Sequence, residues 1–129
     1  MARQLTIQIV GWNSAQVLPA ALAALKGLPA DRVVIRYLDN DSTDSSVAIV
    51  RQLLPQAEIT EFSTNRGFAA AHNYGFGLCD TPFVMVHNPD LVMDWAGVQN
   101  LLAAFDDESV AAVQGLLYRD EARTTIDSA

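Results

Sequence analysis

Four short polar segments concentrate the residues of this chain that could do chemistry. They are Gly11-Trp12-Asn13-Ser14, Asp39-Asn40-Asp41-Ser42-Thr43-Asp44, Ser63-Thr64-Asn65-Arg66-Gly67 and His87-Asn88-Pro89-Asp90. Asp39 closes the apolar run Val33 to Leu38, a place where an unpaired carboxylate is costly. A carboxylate there can accept hydrogen bonds from the N–H groups of a base or the hydroxyls of a ribose. The local alternative is that Asp, Asn and Ser are ordinary turn and cap formers, which applies most directly to Asn40 and Asp44. Asp90 offers a hard oxygen at the end of another apolar run. One or two carboxylates suffice for a cation that also binds a diphosphate, because phosphate oxygens and water complete its shell. The competing reading of Asn88-Pro89-Asp90 is a simple turn, and His87 reads as a partly buried strand-end residue rather than a ligand. Arg66 can reach a phosphate or stack on a base, or it is a plain surface arginine. Gly67 permits a positive φ. Trp12, just past an apolar run and beside Asn13, is either core or a stacking surface for a nucleobase.

Several catalytic signatures are absent. No Gly-x-Gly-x-x-Gly follows the first apolar run, which disfavours a Rossmann-type dinucleotide site. The only lysine, Lys26, lies in a helical pattern, so there is no Gly-Lys-Ser/Thr phosphate loop. There is no Gly-x-Ser-x-Gly elbow, and His72 and His87 have no zinc-ligand spacing. Cys79 reads as a small buried hydrophobe.

The elements that must position these segments follow from the apolar pattern. Leu5 to Val10, Val33 to Leu38, Ile59 to Phe62, Phe83 to Val86 and Val110 to Val113 read as strands, several nearly continuous in apolar or β-branched residues, as strands covered on both faces are. Val17, Leu18, Ala21, Leu22 and Leu25 share one helical face from about Val17 to Lys26. Asn13 and Ser14 are candidate caps, Pro19 fits only near the first turn, and Gly27 and Pro29 end the helix. A second helix takes capping hydroxyls from Ser42 to Ser46, carries Val47, Val50 and Leu54 on one face, and ends at Pro55. A third runs from Phe68 to about Leu78. A fourth starts at Asp94 as N-cap and carries Trp95 or Ala96, Val98, Leu101, Leu102 and Phe105 inward. This alternation predicts an α/β fold, a mainly parallel sheet with helices on both faces. In such sheets ligands bind beyond the carboxyl ends of the strands, where all four polar segments fall. The acidic run Asp106, Asp107, Glu108 reads as a solvated turn. After about Tyr118 the chain turns polar, so residues 119–129 are expected to be a loop or a frayed end.

Composition sets the outer limits. The 129 residues, half of them apolar and 18% charged, are enough for one domain with a real core and too apolar for disorder. A net charge of −7 argues against nonspecific nucleic-acid binding. One cysteine excludes a disulfide framework. No apolar run approaches the roughly 20 residues that span a bilayer, and the N-terminus lacks the long apolar region of a signal peptide. A soluble intracellular domain is the expectation.

Taken in order, the segments 9–14, 37–45, 65–75 and 87–90 resemble family-2 glycosyltransferases, and within them the bacterial rhamnosyltransferase-like enzymes of cell-surface polysaccharide synthesis. Order and spacing agree over about residues 5 to 127. The resemblance implies the Rossmann-like nucleotide-binding half of a GT-A fold, with a nucleoside diphosphate sugar, here dTDP-rhamnose, and Mg²⁺ or Mn²⁺. It puts Trp12 and Asn13 near the base and Asp39 in a hydrogen bond to it. Asp41 and Arg66 fall close to the nucleoside, while Asn65, Gly67 and Asn73 shape the next turn and helix. Asn88-Pro89-Asp90 stands in the place of the family's Asp-x-Asp element, with Asp90 as metal ligand and Asn88 replacing the first acid. The family inverts at the anomeric carbon, using a carboxylate base that lies in its later half. No residue of this chain is assigned that role.

The resulting expectation is a donor-binding domain over residues 1–118, with 119–129 a tail or the start of an acceptor half. Sugar would pass to a glycan or lipid-linked acceptor, with little or no transfer by this chain alone. It is expected in the cytoplasm, at the inner face of the membrane through peripheral contact, and as a homodimer or oligomer through uncovered apolar surface. The rival from another class is a non-catalytic binding or assembly module on the same fold. A nucleotidyltransferase-like binder is disfavoured, since no phosphate-cradling Gly-rich loop follows the first strand.

Overall fold

The computed structural model describes residues 2–128 and falls into two compact units, Met1–Met93 and Asp94–Ala129. In the first, β1 (Leu5–Gly11), α1 (Leu18–Lys26), β2 (Val33–Asp39), α2 (Ser46–Leu53), β3 (Glu58–Glu61), α3 (Phe68–Phe76) and β4 (Phe83–His87) alternate along the chain. The strands form one parallel sheet in the order β3-β2-β1-β4. Every residue of β1 and β2 is buried, which is why both read as nearly continuous apolar or β-branched runs, broken by Gln8 in β1 and Arg36 in β2: neither has a wet face. On one face Val10, Leu38 and Phe62 meet Ala71 of α3. On the other, α1 packs on α2 and α2 on β2. The sheet is therefore α/β with helices on both faces, as the sequence predicts.

A buried polar layer fastens α3 to the sheet. Arg36, 4% exposed, donates to the carbonyls of Gly75 (3.0 Å) and Leu78 (3.2 Å) and pairs with Glu58 (2.9 Å). Gly75 lies in the last turn of α3 and Leu78 just past its cap at Gly77, so the cation sits at the helix C-terminus, where it is favoured. Gln8 donates to both Nδ1 and the carbonyl of His72. Gly75 lies so close over Gln8 that a Cβ there would overlap its carboxamide. The two outer strands differ in character. β3 is Glu-Ile-Thr-Glu, and its Glu58 and Glu61 pair with Arg36 and Arg51. β4 is Phe-Val-Met-Val-His, uncharged, with Val84 and Val86 exposed.

In the second unit, α4 (Trp95–Ala103) starts as expected on Asp94, whose Oδ1 accepts from Gly97 N–H at 2.8 Å. A single 3₁₀ turn, Ala104–Asp106, follows, and Asp106, Asp107 and Glu108 are solvent-exposed. Two expectations need correction. Val110 to Val113 forms no strand, because no neighbouring strand pairs with it and its two central alanines have little strand preference of their own. The polar tail is not loop alone: β5 (Leu117–Tyr118) pairs antiparallel with β6 (Ile126–Ser128), and Asp120 accepts from Thr124 N–H within the connecting turn. Among the described residues, no helix is long and apolar enough to cross a membrane.

Candidate functional site

From β1 the sheet grows outward to β2 and β3, then returns through α3 to β4 on the far side of β1. Strand order reverses between β1 and β4, where a parallel sheet opens a crevice at its carboxyl edge. The registers Gly11↔Asp39, Asp39↔Glu61 and Ile9↔His87 bring all four strand ends to that one edge. The four polar segments therefore leave the same side of the sheet.

The first two are interlocked. Asn13, with φ +47°, turns its Oδ1 to accept from the N–H groups of Thr43 (2.8 Å) and Asp44 (3.4 Å), while its own N–H donates to Ser42 Oγ (2.9 Å). Ser14 N–H donates to Ser46 Oγ, and Asp44 accepts from Ala15 N–H and from both the N–H and hydroxyl of Ser46. The Ser46 hydroxyl, with these backbone groups, holds the Asp44 carboxyl below the usual carboxylate range. Asn13 and Ser14 are thus not side-chain caps of α1, whose N-cap is Val17, and Ser42 and Ser46 spend their hydroxyls across the two loops. Tertiary bonds outbid the local cap.

Asp39 is 3% exposed. Its Oδ2 accepts from Ser42 N–H at 2.8 Å, and its Oδ1 takes a long bond of 3.4 Å from the Tyr37 hydroxyl. Burial, with the Asp39 charge beside it, raises the Tyr37 hydroxyl well above its ordinary value, so it stays a proton donor. A Cβ on Gly11 would overlap the Tyr37 hydroxyl and ring, which is why a glycine ends β1. Asp41 follows in the left-handed region at φ +67°.

Asn40 joins the second segment to the third: its Oδ1 accepts from Arg66 N–H at 2.8 Å and its Nδ2 donates to the Gly67 carbonyl at 3.1 Å. Gly67 has φ +79° and starts α3, with Asn65 Oδ1 on its N–H. The Arg66 guanidinium lies over the rings of Phe62 (4.1 Å) and Tyr74 (5.5 Å). Trp12 is 57% exposed, so it is not core. Asn73 sits exposed more than a turn into α3, and no side-chain hydrogen bond among the described residues ties it to the loops.

At the end of β4 the picture changes. Asn88 and Asp90 are exposed, and a turn closes with Leu91 N–H on the Asn88 carbonyl at 3.1 Å. No hydrogen bond among the described residues occupies the Asp90 carboxylate. His87 is fully rather than partly buried, neither ring nitrogen has a hydrogen-bond partner among the described residues, and burial pushes its pKa down to about 4. Cys79, by contrast, is only partly buried, and its thiol lies 3.4 Å from the Thr81 hydroxyl. A divalent cation finds one free hard oxygen donor at Asp90, and the described residues hold no cluster of three His, Cys, Asp or Glu side chains that could bind it unaided. That donor set fits a cation whose other ligands come from a phosphate group and water.

Asn40, read from the sequence as a turn former, Ser46, read as a helix cap, and Tyr37, read only as part of a strand, join the site. The available signal was Asn40 itself, a carboxamide directly after a buried strand-end carboxylate.

Comparison with known proteins bears on the same region. The model of the family described as "Glycosyl transferase family 2" matches residues 6–128. No curated protein sequence matches the chain. Among solved structures, the mannosyltransferase PcManGT from Pyrobaculum calidifontis, in complex with GDP-Man and Mn²⁺, aligns with TM-score 0.79 and 22% identity, over 92% of this chain and 36% of that one. TarS 1-349 from S. aureus, in complex with UDP-GlcNAc, aligns with TM-score 0.73 and 16% identity, over 91% of this chain and 38% of that one. The chain thus spans less than half the length of either.

Proposed function

This chain belongs to glycosyl transferase family 2 and has the Rossmann-like sheet of a GT-A fold, and on that premise we propose that its loop edge binds the nucleoside diphosphate end of a sugar donor. The observation that carries the reading is the convergence of Trp12, Asp39, Arg66 and Asp90 on the carboxyl edge of one sheet, around its β1/β4 reversal. In this reading the exposed Trp12 ring and Asn13 border the base, and Asp39 accepts a base N–H at Oδ1, its Oδ2 being held by Ser42. Asp41 and Arg66 lie by the nucleoside and its charge, Asn65 and Gly67 shape the turn below, and Asn73 lines the helix beyond. Asp90, beside Asn88, holds Mg²⁺ or Mn²⁺, which when bound neutralises charge on the leaving diphosphate. The donor is dTDP-rhamnose, as in the rhamnosyltransferase-like branch, and the acceptor a glycan or lipid-linked sugar at the cytoplasmic face of a membrane. Residues 1–118 form the donor-binding part and 119–129 a tail or connection to an acceptor-binding half. The chain alone binds donor with little or no transfer.

Calorimetric titration with dTDP, UDP and GDP, with and without Mn²⁺, tests this. Wild type is expected to bind dTDP best and to lose at least tenfold in affinity without Mn²⁺. Asp90→Ala is expected to bind equally with and without the ion while its melting temperature stays put. Folded protein that binds none of the three nucleotides would overturn the reading.

A second reading is favoured by the uncharged β4 edge and the exposed Val84, Val86, Phe76 and Leu78. These suit self-association, as a dimer or larger assembly, in an assembly module without chemistry. Sedimentation as a monomer at high concentration counts against it.

A further inference from the structure

We infer that Asn40 is a positioning residue that sets Arg66 against Asp39 for the donor nucleotide, an inference that rests on the donor-site reading above. Its backbone is fixed first, because Asn40 N–H donates to the Gly11 carbonyl at 2.8 Å and so ties the end of β2 to the end of β1. The side chain then crosses to a segment 26 residues further along. It uses both ends of the carboxamide: Oδ1 takes Arg66 N–H at 2.8 Å, and Nδ2 gives to the Gly67 carbonyl at 3.1 Å. The amide places its donor and its acceptor on separate atoms, so one side chain meets both groups at once. An aspartate in the same shape would keep the first bond and turn an oxygen toward the Gly67 carbonyl. Asn40 is 3% exposed, so water is poorly placed to substitute.

The consequence lies at Arg66. Its amide is held by Asn40, and its guanidinium rests over Phe62 and Tyr74. A cation fixed at both ends has lost its freedom before the ligand arrives, which raises affinity for an anion without any new contact. Asp39 is the residue bonded to Asn40 in the chain. One carboxamide therefore sets the spacing between the carboxylate that would meet the base and the cation that would meet the phosphates. Asn40 acts through Arg66 and need not touch the ligand.

A double-mutant cycle tests this. Wild type, Asn40→Asp, Arg66→Ala and the double variant are titrated with dTDP, UDP and GDP in Mn²⁺. Each single change is expected to weaken binding by about tenfold, and the double change by about tenfold as well, since both remove the same oriented cation. A double variant weakened by the product of the two losses, or an Asn40→Asp variant that binds like wild type, overturns the inference. Melting temperature monitors the fold, and Asn40→Ser replaces Asn40→Asp in the cycle if the latter does not fold. Amide hydrogen exchange on ligand-free Asn40→Ala supplies a readout that needs no nucleotide. Exchange at Arg66 is expected to speed at least tenfold while β1 stays protected, and unchanged exchange there overturns the inference. If wild type binds no nucleotide but Arg66 exchange responds, the donor reading has failed and the proposed spacing of donor groups falls with it.

Discussion

The loops that leave β1, β2 and β3 and the loop that leaves β4 occupy one edge of one sheet, yet they are built by opposite means. The first three are laced together by side chains whose partners lie 26 to 32 residues away, with Asn13, Asp44, Ser46 and Asn40 bonding across the gaps. The last has a backbone turn and, among the described residues, no hydrogen-bond partner for the Asp90 carboxylate or for the buried His87 imidazole. The part that would meet a nucleoside is set in advance, whereas the part that would meet a cation leaves its donor free. Preorganisation suits a ligand of fixed shape, and a free carboxylate suits an ion that brings most of its own ligands.

That contrast can be broken hardest at its braced side. Gly11→Ala drives a methyl into the Tyr37 ring beneath Asp39, and we expect about 3 kcal/mol of destabilisation in urea unfolding. A loss under 1 kcal/mol would show that the loops tolerate a shifted Tyr37 and are not rigid. The β4 side is probed by pH. The folded pKa of His87, about 4, lies below the ordinary value of 6.5, so on acidification the unfolded chain takes up the proton first. Stability present above pH 6.5 is then lost as pH falls toward 4, by about 2 kcal/mol between pH 7 and pH 5. His72, on the buried side of α3 and lowered by that burial, adds to the slope in the same direction. His87→Leu should remove the larger part of that slope in unfolding curves across this range, and an unaltered slope would clear His87 of the effect. The smallest change sharpens the comparison. Asn13→Gly keeps the left-handed backbone and deletes only the side chain, for about 1 kcal/mol, with faster amide exchange at Thr43 and Asp44 and none at Leu91.

The sequence makes the alternation of strands and helices readable because β1 and β2 are buried on both faces and cannot afford a polar residue without a partner. Asp94 is readable as a cap because its bond spans only three residues. The four loops are readable as a set because each follows an apolar run. What escapes is everything settled through space. Asn13 and Ser14 look like caps of the nearest helix, and nothing nearby in the chain reveals that their bonds go to residues 42–46. Val110 to Val113 has the pattern of a strand, but a strand exists only where another strand pairs with it. The tail hairpin is hidden for the converse reason: β5 and β6 are only two and three residues long, and only their pairing defines them. Asn40 is the instructive miss, since its role lies in which atoms of its amide face which loop.

Arg36 has a further consequence for how the domain comes apart. Its guanidinium lies buried beneath α3, with the carbonyls of Gly75 and Leu78 and the half-exposed Glu58 carboxylate as partners. A helix held by apolar contacts alone can loosen by degrees, losing a little with each fraction of an ångström. Here a small slip of the helix would strip the cation of both carbonyls at once and leave it only Glu58 on the neighbouring strand, which is a costly arrangement for a buried charge. Those bonds favour concerted docking of α3, from the turn at Gly67 that starts it to the carbonyls that end it.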